Sequence, residues 1–197
     1  IHPERLDDPL HWKKPRRVFV NSMSDLFHEN LDLANILTVF YRMATYDRHT
    51  YIVLTKRPKR MLEFFDFWQE HIALCKADGY AFFAPPLRNV WLGVSVENQQ
   101  AADERIPLLL QTPAAVRFVS VEPMLGRVDL FGCLPIAQSD IRGMVYSPVG
   151  GPFLDWVICG CESGPGARPF EMDWARGLRD QCVSANVPFF FKQGRVN

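Results

Sequence analysis

Two copies of the tetrapeptide Val-Ser-Val-Glu, at 94–97 and 119–122, carry the densest chemical signal in this sequence. In an extended chain, residues two apart share a face. Ser95 with Glu97, and Ser120 with Glu122, therefore each present a hydroxyl and a carboxylate on one side. Each copy closes an apolar, β-rich run. The same pattern recurs at VFVNSMSD, TYIVLTKR, DWVICGCESG and PFFFKQG. The polar residues so placed are Asn21, Ser22, Ser24 and Asp25; Thr55, Lys56 and Arg57; Ser95, Glu97 and Asn98; Ser120 and Glu122; Glu162 and Ser163; and Lys192 and Gln193. Carboxylates at 97, 122 and 162, facing Lys56 and Lys192, would suit a zwitterionic or phosphate-bearing ligand.

The elements that must position these residues are legible from periodicity. Strands are predicted at 17–21, 50–55, 90–96, 116–121, 156–159 and 188–191. Helices are predicted at 31–46, from Pro58 onward, at 99–110 and at 172–185. Ile36, Leu37, Phe40, Met43 and Ala44 fall at helical spacing, as do Met61, Leu62, Phe65, Trp68, Ile72 and Cys75. Pro58 suits a first helical turn, Asp173 a capping region, and Pro107 should kink or divide its helix. Prolines 3, 9 and 15 make residues 1–17 a connecting segment, and 124–152 reads as an irregular excursion. The strand starts repeat at a βα period, long enough for right-handed crossovers. A parallel α/β protein gathers its chemistry at the C-terminal ends of its strands. Six such units in one domain spanning 1–197 leave an open sheet, a partial barrel and a truncated barrel as candidates. A doubly wound nucleotide-binding sheet lacks its glycine fingerprint.

Composition narrows the function classes. The 197 residues carry no formal net charge, so a global basic field for nucleic acid is absent. No apolar run approaches the ~20 residues of a membrane helix, and no signal peptide is visible. Five cysteines at irregular spacing argue against a disulfide framework and for free thiols in a reducing cytoplasm. Cys159 and Cys161 share a strand face, but one such pair is a weak metal signal, and no metal site is assigned. The glycine-rich run 160–166 reads either as a tight turn or as backbone donors facing an anion. Lys13, Lys14, Arg16 and Arg17 read as a solvated strand entrance rather than a phosphate contact. The Lys56–Arg60 cluster reads as a solvated helix start. No Ser-His-Asp arrangement is legible.

Five blocks, WKKPRRVFVNSMSDLFHE, HTYIVLTKRPKRM, NVWLGVSVENQQAADERIPLLL, VRFVSVEPMLGRVDL and DWVICGCESGPGARPF with the residues after it, resemble in order a phage- and prophage-associated family. That family is radical-SAM-like, of unknown function and distantly similar to spore photoproduct lyase. The resemblance implies a partial (β/α)6 TIM-like barrel, with its cluster-bearing first strand absent from this chain. It implies an enzyme that binds S-adenosylmethionine and acts on an unknown substrate, with nucleic acid or a nucleotide as candidates. Asn21, Ser22, Ser24, Asp25, Thr55, Lys56, Ser95, Glu97, Asn98, Ser120, Glu122, Glu162, Ser163 and Lys192 would face cofactor or substrate. A [4Fe–4S] cluster belongs only to a longer form carrying the family's three N-terminal cysteines. Where Cys159 and Cys161 stand, relatives are expected to carry small residues. The alternative is a shortened, non-catalytic barrel that binds a ligand or partner, as a homodimer or a strand-swapped form paired through its open edge.

Overall fold

The computed structural model describes residues 2–135 and 152–194. Of the expected excursion, 136–151 lies outside the described residues. Six strands form one sheet in the order β1 (Arg17–Val20), β2 (Thr50–Thr55), β3 (Val90–Ser95), β4 (Val116–Val121), β5 (Trp156–Gly160) and β6 (Phe189–Gln193). The pairings of β1 with β2, β4 with β5 and β5 with β6 are parallel. Helices α1 (Leu33–Thr45), α2 (Pro58–Ala77), α3 (Gln99–Leu110) and α4 (Met172–Ser184) alternate with the strands. This is an α/β fold. Among the described residues no helix is long and apolar enough to cross a membrane.

The chain divides into two compact units. Unit 1 holds 1–92 and 112–116, and unit 2 holds 93–111 and 117–197.

In unit 1, the connecting segment expected before β1 carries short 3-10 turns at Pro3–Arg5 and Asp8–His11. The prolines exclude an α-helix there, but each of these turns is too short to need the missing N–H groups. Helix α1 buries Ile36, Leu37, Phe40, Met43 and Ala44, the face its spacing predicts. Helix α2 opens on Pro58 and buries Met61, Phe64, Phe65, Trp68 and Ile72. Leu62 and Cys75 sit at the border of that face, and Phe64 takes the place expected for Leu62. Phe64 lies three residues after Met61 and four before Trp68, so it falls on their stripe, whereas Leu62 is rotated by about 100° from Met61.

In unit 2, α3 starts on Asn98, whose side chain accepts from the Ala101 N–H at 2.9 Å. The helix runs through Pro107 without dividing. Pro107 removes a hydrogen bond only in the last turn, so little of the ladder is lost. Helix α4 begins at Met172 as expected, but its capping position is Glu171 rather than Asp173, which lies in its first turn. Strand β5 reaches Gly160, and its register with β6 shifts between Cys159 and Gly160. Cys161 is therefore beyond the strand, contrary to the expectation that both cysteines share one strand face.

Gly93 in β3 faces the Phe118 ring of β4, where an added Cβ would lie 2.4 Å from the ring. Phe118 is fully buried, so either its ring or the strand backbone must shift. Gly93→Ala is expected to destabilise the protein by about 1–3 kcal/mol, read as a lower urea midpoint. An unchanged midpoint would mean the ring relocates freely.

Candidate functional site

The strand-end residues of unit 1 form two different environments. Asp25 is held from every side. Its carboxylate accepts from the Phe27 N–H at 2.9 Å, the Thr55 hydroxyl at 2.8 Å, the Lys56 N–H at 3.1 Å and Arg57 Nη1 at 3.0 Å. Thr55 is buried, and its oxygen also accepts from the Arg57 N–H at 2.9 Å. Arg57 Nε then reaches Glu29 at 3.1 Å. The network ties the end of β2 to the turn after β1. It leaves Asp25 with little capacity for a ligand.

Asn21, Ser22 and Ser24 are exposed and line a groove of about 720 Å³ with Trp12, Arg42 and Tyr46. Asn21 adopts φ 56°, a left-handed conformation that asparagine tolerates better than most residues. Its carbonyl accepts from the Ser24 N–H at 3.0 Å, which turns the chain off the end of β1. Arg42, inside this groove, is paired with Asp7 at 3.2 Å.

In unit 2 the expected carboxylates each hold a cation. Glu97 meets Arg105 at 3.1 Å, and Arg105 also donates to the Ser95 carbonyl at 2.7 Å. Glu122 meets Lys192 at 2.9 Å, across seventy residues of chain. Glu162 takes Arg168 in a two-pronged pair at 2.8 and 2.9 Å, with the Arg168 N–H as a third donor. These bonds from Arg168 hold the Glu162 carboxyl down at about 2. The Glu162 charge therefore persists well into acid. Arg168 in turn feels the charge of Glu97. Gly160 gives Glu122 its place, because a Cβ there would lie 3.2 Å from the carboxylate oxygen.

Of the remaining expected residues, Ser95 and Ser120 are buried, Asn98 caps α3, and Ser163 is exposed in the loop before Gly164. Gln193 donates to the Cys161 carbonyl at 3.1 Å. Arg105 and Arg168 were not legible as site residues. Arg105 stands eight residues after Glu97, two turns into α3, where a helix returns a side chain to the preceding strand end. The signal for Arg168 was the pair of glycines before it. Gly164 and Gly166 both have positive φ and fold the loop back on Glu162.

The cysteines have a different character. Cys159 and Cys182 are fully buried, and burial pushes their thiols to about 12 and about 11. Cys159 Sγ donates to Met124 Sδ at 3.5 Å. Both thiols are packed into the core rather than exposed at the strand ends. Among the described residues no three His, Cys, Asp or Glu side chains converge in a metal-binding arrangement.

A family model described as a protein of unknown function (DUF5131) matches residues 1–196, and the chain belongs to that family. No curated protein and no solved structure matches it significantly.

Proposed function

We propose that this member of the DUF5131 family is the carboxy-terminal portion of a radical S-adenosylmethionine enzyme built on a partial TIM-like barrel, with unit 2 holding the cofactor. The observation that carries this reading is the alternation of charge at the ends of β3, β4 and β5. Three carboxylates and three cations stand there in pairs with no net charge. A ligand with an ammonium and a carboxylate on one carbon exchanges partners with such pairs without leaving a charge unmatched. Glu122 and Glu97 would accept from the ammonium. Lys192 and Arg168 would hold the carboxylate, the arginine fork giving direction and the lysine a point charge.

When bound, the cofactor supplies hydrogen-atom abstraction from a substrate. The residues of this chain bind and orient it. The cysteines do not fit a [4Fe–4S] cluster, because Cys159 and Cys182 are buried in the core and no group of three converges among the described residues. Cluster ligation is therefore assigned to no residue here. The substrate class proposed is nucleic acid or nucleotide.

Equilibrium dialysis against labelled S-adenosylmethionine tests the reading. Binding is expected, and Glu122→Gln should weaken it about tenfold or more by removing a charge-assisted partner. Adenosine, which lacks the amino-acid end, should bind wild type and Glu122→Gln alike. Failure to retain S-adenosylmethionine at millimolar concentration would overturn the assignment.

A second reading, a non-catalytic barrel that pairs with another chain, draws on β1. This strand lies at one edge of the sheet, and its Phe19 is 47% exposed. Such an edge is a template for strand pairing. A monomeric mass in solution at high concentration would count against it.

A further inference from the structure

At the opposite end of β1 from Asn21, unit 1 carries a concentration of positive charge that the reading above does not use. Lys13, Lys14, Arg16 and Arg17 are all exposed. Among the described residues none of the four is ion-paired. By contrast Arg5, Arg42, Arg57 and Arg60 in the same unit each hold a carboxylate.

The fold adds cations that the linear sequence does not place here. The Thr50 N–H donates to the Arg16 carbonyl at 2.9 Å, which brings the start of β2 and the turn before it beside the basic run. That turn carries Arg48, also exposed. The Tyr51 N–H donates to the Asn89 carbonyl at 2.8 Å, and Asn89 Nδ2 donates to the His49 carbonyl at 3.2 Å. Arg88, the exposed neighbour of Asn89, therefore starts β3 at the same end. Asp47 is the acid in the turn with Arg48. The last turns of α1 and α2 also lead toward the starts of β2 and β3, so their helix dipoles favour cations at this end.

The run is held in place. Arg48 Nη2 donates to the carbonyls of Leu10 and Trp12. His49 is buried, and its Nδ1 accepts from the Arg16 N–H at 3.2 Å. With Nδ1 accepting, Nε2 carries the proton and donates to the Pro9 carbonyl at 2.9 Å. The Arg48 Nε contact with the same nitrogen is then a packing contact rather than a hydrogen bond. The Arg16 guanidinium lies over the Trp12 ring at 4.9 Å. Unpaired like charges kept together on an anchored segment repel one another, and on a chain of no net charge they are not needed for solubility.

We propose that this end of unit 1 is a docking surface for the phosphate backbone of a nucleic acid, contacted without base readout. Residues 13–17 span at most about 17 Å of chain, enough to meet several phosphates of one strand at 3.4 Å of rise each. Lysines and exposed arginine forks are the side chains such contacts use. The flanks argue against an acidic protein, because Leu10, Phe19 and half-buried Trp12 are scattered and too little apolar surface for an interface core. They argue against a lipid surface for the same reason, since no amphipathic face accompanies the charge. The proposal deepens the nucleic-acid substrate class of the reading above and rests on it for that class alone. Oligonucleotide binding by unit 1 and S-adenosylmethionine binding by unit 2 are measured separately, so either can fail without the other.

Fluorescence anisotropy of a labelled single-stranded oligonucleotide and of its duplex, from about 50 to about 200 mM salt, tests it. Binding is expected with a slope of log K against log salt of about −3. The combined substitution Lys13→Ala, Lys14→Ala and Arg17→Ala should cut that slope to about −1. Affinity at the lower salt should fall about tenfold or more. Arg176→Ala with Arg179→Ala, two exposed arginines of α4, should leave both unchanged. An unchanged circular dichroism spectrum and urea midpoint show that the triple variant folds. The proposal is overturned if neither oligonucleotide binds, if the triple variant keeps the full slope, or if phosphatidylserine vesicles bind through these residues and oligonucleotides do not.

Discussion

Trp68→Ala is expected to lower the stability of the protein by about 3–5 kcal/mol, measured as a shift of the urea midpoint. Trp68 is 0% exposed and lies at the centre of the aromatic core of unit 1. Its ring stacks on Phe65 at 5.9 Å and meets Phe40 and Phe64 at 5.4 and 5.6 Å. Its indole N–H donates to the Phe83 carbonyl at 3.1 Å, which fixes the chain leaving α2. Alanine would remove the ring and leave a cavity among rings that cannot all collapse inward. It would also leave the Phe83 carbonyl without that donor. Trp68→Phe keeps most of the ring but loses the hydrogen bond, so it should cost clearly less. Equal losses in the two variants would locate the effect in the hydrogen bond. A loss below about 1 kcal/mol for alanine would contradict the packing account.

Asp25→Ala is expected to cost about 2–4 kcal/mol. The carboxylate joins four donors, and its side chain is 15% exposed against 31% for Arg57. Removing it would strand the Thr55 hydroxyl at the buried end of β2, while the exposed Lys56 N–H turns to water. Arg57 retains Glu29, so its charge is not abandoned, and this keeps the cost below that of a fully buried pair. Asp25→Asn preserves the shape and two acceptor lone pairs, and should recover part of the loss. If Asp25 instead served a ligand, alanine would stabilise the free protein or leave it unchanged, because a carboxylate kept for binding is a strained or unsatisfied group before the ligand arrives. The urea midpoints of the two variants in the absence of any ligand separate these cases.

These two positions illustrate how much was legible. The face of α1 was read correctly because helix amphipathicity is local: positions three and four apart point the same way whatever they pack against. The boundaries of β2 and α3 were legible from equally local patterns, and Pro58 marked the start of α2; Asn98, expected among the site residues, turned out to cap α3. Trp68 was expected on a buried face, but not its ring partners Phe40 and Tyr41, which come from α1. Asp25 was expected among the ligand-facing residues at the strand ends. In the structure its carboxylate is bound to Thr55 and Arg57, 30 and 32 residues further along, partners that no local pattern announces.

By itself the sequence determined the alternation of strand and helix, the apolar faces, and the placing of polar residues at strand ends. Each of these follows from backbone periods of 2 and 3.6 and from the dihedral preferences of proline, asparagine and glycine. The tertiary structure decided which charges meet. Glu97 takes Arg105, Glu162 takes Arg168, and Glu122 reaches Lys192 through the space left by Gly160. It also brought Arg48 and Arg88 to the end of unit 1 where residues 13–17 lie. The two shorter-range pairs depend on how one helix and one loop fold back on a strand end, while the Glu122–Lys192 pair and the charged surface depend on the register and crossover of distant segments. Those are set by the packing of the whole core, and a local pattern of residue types carries no record of them.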